Sequence, residues 1–383
     1  MLRTDCVSEY LFARIDQKLG ELRRQGVDII SFGVGDPQSP PPFEMREKLA
    51  QLVVQPELHN YSPYEGMQEF REAACRYMKR RYSAYVDPDS QCVGLIGSKE
   101  GIGNFYIAYT QTKTLNLVPN LAYPIPATMT RIAQGEVYAL PVREQNGFLP
   151  DLDAIPPEIL QHAQLLYLNY PNNPTAVGAS LEYLKKALNL AQHYGFLIVH
   201  DCAYEEIYFK ERPHSFFELD DAWMHVVEFH SLSKMFNITG WRLAFAVGSA
   251  QNLAPLKVMK TNMDSGQFKP LQLTAAWALD HVVDAFGEQQ RMTYQQRMQK
   301  LTVALTALGA HIPQPAGTFF LWGRVPKGFT SESFTETLLE KTGVFVTPGN
   351  MFGTDGEGYF RASLTVSDER LEQAVLRLQE VKL

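Results

Sequence analysis

Three short apolar runs, at residues 165–169, 196–200 and 226–230, each open into a polar stretch dense in chemically capable side chains. Runs of this length, rich in Leu, Ile, Val and Phe, read as buried strands. Between the first two lies a segment, 180–194, in which Leu181, Leu184, Leu188 and Ala191 recur at helical spacing. Strand, helix and strand in series predict a mainly parallel sheet with helices on both faces. In such a sheet, functional groups gather beyond the carboxyl ends of the strands. Residues 92–96 read as a further strand. Downstream, 287–308 is helical in pattern and leaves the central unit. Short strands at 319–322, 344–347 and 360–364 and a helix at 368–381 then predict a smaller α+β unit, completed by part of the N-terminal segment.

Composition narrows the class. The chain has 383 residues, 45% apolar and 20% charged, which suits a globular protein of two or three domains. Lys and Arg total 35 against 42 Asp and Glu, a net charge of −7, and no basic tract stands out. Nucleic-acid binding is therefore a poor expectation. Cys6, Cys75, Cys92 and Cys202 are scattered without a CxxC pair, which fits free thiols in a reducing compartment and no metal site. Charges fall where a signal peptide needs an apolar stretch, and no apolar run reaches membrane-spanning length. A soluble cytoplasmic protein with no membrane partner is expected.

The densest chemistry lies in His230-Ser-Leu-Ser-Lys-Met-Phe-Asn-Ile-Thr-Gly-Trp-Arg-Leu-Ala244. A strand end delivers Ser231, Ser233 and Lys234 together, with Arg242 close behind. Two hydroxyls and a guanidinium match a dianionic phosphate. A lysine among them could condense with an aldehyde if burial and cationic neighbours keep its amine partly neutral. A second anion site is offered by Gly97-Ser-Lys-Glu-Gly101, where Ser98 and Lys99 open a helix after a strand. Ser-x-Ser-Lys and short Gly-rich turns are each common; the whole string is not.

That string resembles the pyridoxal-phosphate lysine signature of the class I/II aminotransferases, the fold type I enzymes, and other landmarks of the family follow in order. Asn169-Tyr-Pro-Asn-Asn-Pro-Thr175 resembles the Asn-Pro-Thr loop, which implies that Asn173 bonds the phenolic oxygen of the cofactor and helps bind substrate. His200-Asp-Cys-Ala-Tyr-Glu-Glu206 resembles the Asp-x-x-Tyr element, with Asp201 on the ring nitrogen and Tyr204 on the phenolic oxygen. A carboxylate at that nitrogen keeps the ring an electron sink. By the same resemblance Tyr123 stacks on the ring, and Tyr61 reaches the phosphate of a neighbouring subunit, so that a homodimer shares its active sites. Gly33-Val-Gly-Asp-Pro37 resembles the loop whose Gly35 amide meets the substrate carboxylate, and Gly358-Tyr-Phe-Arg-Ala-Ser-Leu364 the strand whose arginine, Arg361, clamps it.

The resemblance spans roughly residues 30 to 380. It implies an α/β fold of fold type I: a mainly parallel central sheet flanked by helices, plus a smaller α+β domain. The expected division is 1–35 as N-terminal arm and part of the small domain, 36–286 as the large cofactor-binding domain, and 287–383 as the small C-terminal domain. It further implies transamination between an amino acid and a 2-oxo acid by a ping-pong cycle, with Lys234 moving the proton. The texture of residues 96–101, 229–234 and 260–268 is most similar to the bacterial LL-diaminopimelate branch, which converts LL-diaminopimelate and 2-oxoglutarate to tetrahydrodipicolinate, glutamate and water. Glu65 is then a candidate partner for the distal ammonium. Aspartate, alanine or another amino acid remains open as the donor, and a cofactor-binding regulator without turnover is a further alternative.

Departures are few. Residues 111–115 lack the Pro-Gly-Asp turn of most relatives, and Ala176 stands where the family usually has Gly. His200 and His230 flank two key strand ends, and alternation turns them to the opposite side of the sheet, as structural residues.

Overall fold

A computed structural model describes residues 3–6 and 11–382. Parts of the expected N-terminal arm, residues 1–2 and 7–10, lie outside the described residues. The strands in chain order are β1 (Ile30–Ser31), β2 (Cys92–Leu95), β3 (Leu115–Pro119), β4 (Glu136–Leu140), β5 (Ala163–Asn169), β6 (Leu197–Asp201), β7 (Val226–Ser231), β8 (Ala244–Gly248), β9 (Phe320–Arg324), β10 (Val344–Phe345), β11 (Thr347–Pro348) and β12 (Tyr359–Ser363).

Seven strands form the central sheet in the order β2-β8-β7-β6-β5-β3-β4. All pairs are parallel except those of β8, which runs antiparallel to both β2 and β7. The strands at the middle of the sheet are buried throughout, β6 and β7 at every position. This is the continuous apolar character that a sheet covered on both faces demands. The register sets Asn169 beside Asp201 and Asp201 beside Phe229, so β5, β6 and β7 finish at one edge.

Helices cover the faces. The helix Leu181–Tyr194 begins at Ser180, whose hydroxyl accepts from the Tyr183 amide at 3.2 Å, and stops at Gly195 in the left-handed region, φ 82°. Leu184, Ala187, Leu188 and Ala191 are its buried stripe, as their spacing predicts.

The remaining strands form a three-stranded antiparallel sheet, β11-β12-β9, and a parallel pair, β1-β10. The N-terminal segment thus joins the C-terminal region by pairing Ile30 with Val344. The long helix Val283–Ala307 starts four residues before the helical pattern first reads, since Val283 already packs into the core beneath the large sheet. Its later residues, Tyr294, Met298, Leu301 and Leu305, belong to the core around Phe334, Phe360 and Leu371. The expected strand at 344–347 is two strands in two sheets: Val346 is buried at the crossing, and the Thr347 hydroxyl donates to the Gly33 carbonyl at 3.2 Å.

Candidate active site

The strand ends and the Gly33–Pro37 segment enclose a cavity of about 370 Å³. From β7 the chain turns through the short helix Leu232–Met235, started by the Ser231 hydroxyl accepting from the Ser233 amide at 3.3 Å. This turn points Lys234 into the cavity, where Nζ donates to the Gly35 carbonyl at 2.7 Å. Burial lowers the Lys234 amine from 10.5 to about 8, Arg242 and Arg361 add repulsion, and Asp36 pulls the other way. The lysine is therefore set up as a nucleophile and base. A Cβ at Gly35 would stand 2.8 Å from the Phe320 ring, so a larger residue there requires that ring to shift.

Asp201 ends β6 and is almost wholly buried, 5% exposed. It accepts from the Tyr167 hydroxyl at 2.9 Å and the Ala203 amide at 3.2 Å. Burial raises its carboxyl to about 6, against the pull of those two bonds. Both hydrogen-bond donors are neutral. A carboxylate so placed on a cavity wall suits a cationic ring nitrogen.

Asn169 ties β5 to this corner: its amide donates to the Asp201 carbonyl at 2.8 Å and its oxygen accepts from the Asn173 amide at 2.9 Å. Asn173 then accepts from Arg361 Nη1 at 2.8 Å, while Nη2 donates to the Gly33 carbonyl at 2.5 Å. The guanidinium lies over Phe320, 4.2 Å from its centroid, and Phe352, at 4.7 Å. A fully buried cation held between two rings and neutral acceptors has the chemistry to receive a carboxylate.

Other side chains on the cavity wall have the chemistry to receive a larger anion. Ser98 and Lys99 begin the helix Ser98–Tyr109, and Ser231 and Ser233 line the same cavity. Arg242 completes the set from a left-handed backbone, φ 56° and ψ 57°, with Nη1 donating to the Thr239 carbonyl at 2.7 Å. Such a conformation costs a non-glycine residue about 1–2 kcal/mol and marks a site where the geometry matters. Gly97, at φ +83°, carries no Cβ because one would run into that guanidinium. Burial, then Arg242, lowers the Lys99 amine.

Tyr123 and Tyr204 are also on the walls, Tyr204 edge-on to Phe319 and Phe320. The structure thus brings together Gly35, Ser98, Lys99, Tyr123, Asn173, Asp201, Tyr204, Ser231, Ser233, Lys234, Arg242 and Arg361, as expected from sequence. Tyr61 and Glu65 are not on these walls. Tyr61 is 84% exposed, and Glu65 pairs with Lys257 at 2.7 Å. Sequence reading missed Tyr167, the side-chain role of Asn169, and Phe320. Tyr167 had a signal, since it shares a face of β5 with Asn169 two residues on.

His200 and His230 do lie away from the cavity, in a buried polar network. His200 Nδ1 meets Glu228 at 2.9 Å, His230 Nδ1 meets Glu205 at 2.9 Å, and Ser215 donates to Glu228 at 2.6 Å. Burial works against charge on His230, but Glu205 and Glu228 push it up to about 10. Cys202, His200 and Glu228 offer donor atoms within 4.8 Å of one another, yet His200 and Glu228 already bond each other within this network.

A family model described as "Aminotransferase class I and II" matches residues 27–378. The chain is 43% identical to the LL-diaminopimelate aminotransferase of Moorella thermoacetica, covering 97% of this chain and 95% of that protein. It is 42% identical to the enzyme of that name from Aquifex aeolicus, covering 100% and 98%. Among solved structures, substrate-bound BacF from Bacillus subtilis superposes with a TM-score of 0.92 at 33% identity, covering 98% and 95%. A probable N-succinyldiaminopimelate aminotransferase from Thermus thermophilus superposes at 0.89, also 33% identical, covering 97% and 100%. With a family model matched over residues 27–378, and with Ser98, Ser231, Ser233, Arg242, Arg361 and a lysine of lowered pKa gathered on one cavity, the chain belongs to the class I and II aminotransferases and works with pyridoxal phosphate.

Proposed function

We propose that this aminotransferase takes LL-diaminopimelate as amino donor and 2-oxoglutarate as acceptor, in lysine biosynthesis. What carries the reading is near-full-length identity of 41–44% to a series of proteins bearing the LL-diaminopimelate aminotransferase name.

The donor set fits the cofactor: Asp201 for a protonated ring nitrogen, the cluster of hydroxyls and Arg242 for the phosphate, and the Lys234 amine for the aldehyde. When bound, pyridoxal phosphate supplies an electron sink for the pair left when the substrate Cα loses its proton. The protein's own residues do the rest. Arg361 and the Gly35 amide would hold the α-carboxylate and so orient the Cα–H bond. Lys234 Nζ would take the Cα proton and return one, acting as base and then acid, a role its amine near pH 8 equips it for. Asn173 and Tyr204 would bond the phenolic oxygen, and Tyr123 would stack on the ring. Closed packing by Phe319 and Phe320 would keep water from the proton in transit.

A homodimer completes this reading. Tyr61 lies at the surface of its own chain, which suits a hydroxyl directed to a partner's phosphate end. Glu65, in the same loop, would follow it toward the substrate's distal ammonium once released from Lys257. No helix among the described residues is long and apolar enough to cross a membrane. The cytoplasm is the proposed location, and the boundaries 1–35, 36–286 and 287–383 are the proposed arm, large domain and small domain.

The test is a half-reaction. Loaded enzyme is mixed separately with LL-diaminopimelate, glutamate, aspartate and alanine while the cofactor absorbance is followed. Fast conversion by diaminopimelate and glutamate alone supports the assignment. Fast reaction with aspartate or alanine but not diaminopimelate keeps the transaminase and refutes the substrate.

A further inference from the structure

Arg242 is held in an unfavourable backbone conformation, and a local partner for that backbone is visible. Gln267 sits in the loop between the helices Ala250–Met263 and Lys269–His281. Its Nε2 donates to the Trp241 carbonyl at 2.5 Å and to the Arg242 carbonyl at 2.7 Å. Its own oxygen accepts from the Phe268 amide at 3.2 Å, which fixes which way the amide faces. Both amide hydrogens are thus spent on the two carbonyls that flank the left-handed residue.

The loop carrying Gln267 is itself braced. Gln272, 1% exposed, donates to the Gln267 carbonyl at 2.6 Å and to the Ser62 hydroxyl at 2.8 Å, and accepts from the Met67 amide at 2.7 Å. Asp264 accepts from the Gly266 amide at 2.7 Å and pairs with buried Lys260 at 2.8 Å. Gly266, φ +78°, packs so tightly on the 60–66 loop that a Cβ would lie 2.8 Å from the Pro63 carbonyl oxygen. The stretch 260–268 has no side chain on the cavity wall. Its bonds run instead to the backbone of Arg242 and to the segment after Tyr61.

We propose that Gln267 is a positioning residue for phosphate recognition: its two hydrogen bonds hold Arg242 in the left-handed conformation that aims the guanidinium at the phosphate end of the cavity. This rests on the reading that Arg242 receives the cofactor phosphate. Without the clamp, the backbone relaxes toward an ordinary conformation and the guanidinium leaves its place beside Gly97. Affinity for the phosphate group falls, while the residues that meet the ring and the aldehyde are untouched.

The experiment compares pyridoxal phosphate with pyridoxal as probes on apo-enzyme, measuring both dissociation constants for wild type, Gln267→Leu, Gln267→Glu, Arg242→Ala and the double variant combining Arg242→Ala with Gln267→Leu. Gln267→Leu is expected to weaken pyridoxal phosphate about tenfold, the scale of lost hydrogen bonds to a buried backbone, with pyridoxal unchanged. Gln267→Glu, which places a carboxylate against two carbonyls, should do at least as much. In the Arg242→Ala background the Leu substitution should add nothing. Equal weakening of both probes would mean a general packing role and overturn the proposal, as would a Leu effect that persists without the arginine. An unchanged preference in Gln267→Leu alongside a lost one in Arg242→Ala overturns the proposal and spares the phosphate assignment. An unchanged preference in Arg242→Ala overturns both.

Discussion

Asp201 sets a function against a stability, and the conflict can be measured. Burial raises its carboxyl from 3.8 to about 6, so carrying the charge near pH 8 costs the folded apo-protein roughly 3 kcal/mol. The group's folded pKa lies above its unfolded one. The penalty is therefore absent below about pH 4, grows between 4 and 6, and is complete above 6. Asp201→Asn removes the charge, keeps the shape and retains an oxygen for the Ala203 amide; rearranging the Tyr167 bond returns about 1 kcal/mol. The substituted apo-enzyme should thus be about 2 kcal/mol more stable than wild type at pH 8 and about 1 kcal/mol less stable at pH 4, the swing of about 3 kcal/mol being the lost titration. If Asp201 pairs with the ring nitrogen as proposed, cofactor should reverse the order and turnover should drop by at least about a hundredfold. Denaturant unfolding of apo and loaded forms at the two pH values, with steady-state rates, reads all of this. Lower stability of the Asp201→Asn apo-protein at pH 8, or an advantage that survives at pH 4, would refute the burial argument.

Lys234 in apo-enzyme should titrate near pH 8, leaving roughly a quarter of its amine neutral at pH 7.5 against about 0.1% for an ordinary lysine. Competitive acylation read by mass spectrometry checks this, and a midpoint above 10 would contradict it. Arg361→Met should raise KM for every amino-acid substrate and cut kcat/KM by about a hundredfold or more, the scale of a lost buried charge pair. A change in melting alone would make the residue structural. Ala176→Gly relieves a left-handed backbone, φ +60°, but deletes a fully buried methyl and loosens the unfolded chain. These terms are each about 1 kcal/mol, so stability should move by no more than about 1 kcal/mol. A loss above about 3 kcal/mol in urea unfolding would show the methyl to be tightly wedged.

What could be read before the structure follows from how local each feature is. Ser231, Ser233, Lys234 and Arg242 fall within one strand-to-turn passage, so their order in the chain already describes half the proposed phosphate site. Asn173 and Asp201 lie at neighbouring strand ends of a parallel sheet, where order in sequence translates into adjacency. Arg361 is different: it reaches Asn173 only because β12 brings a distant segment across, and family resemblance rather than spacing identified it. Of the partners of His230, Glu228 shares its face of β7 two residues earlier, whereas Glu205 follows β6 in a turn whose course no alternation predicts. Gln267 has no role legible in the sequence, since its acceptors are backbone carbonyls that leave no trace in residue identity.

The network beneath the sheet has a consequence for how this protein can change over time. His200, His230, Glu205 and Glu228 bond one another in a place water does not reach, 0% exposed for both imidazoles and Glu228. Removing the carboxylate of Glu228 or the imidazole of His230 strands the other's buried charge, at about 3–5 kcal/mol, a large part of a typical folding free energy. Replacing several with apolar side chains of matching volume can cost almost nothing. The positions therefore sit on either side of a ridge that single substitutions do not cross. Related chains should carry the whole set or a wholly different filling, with few intermediates between.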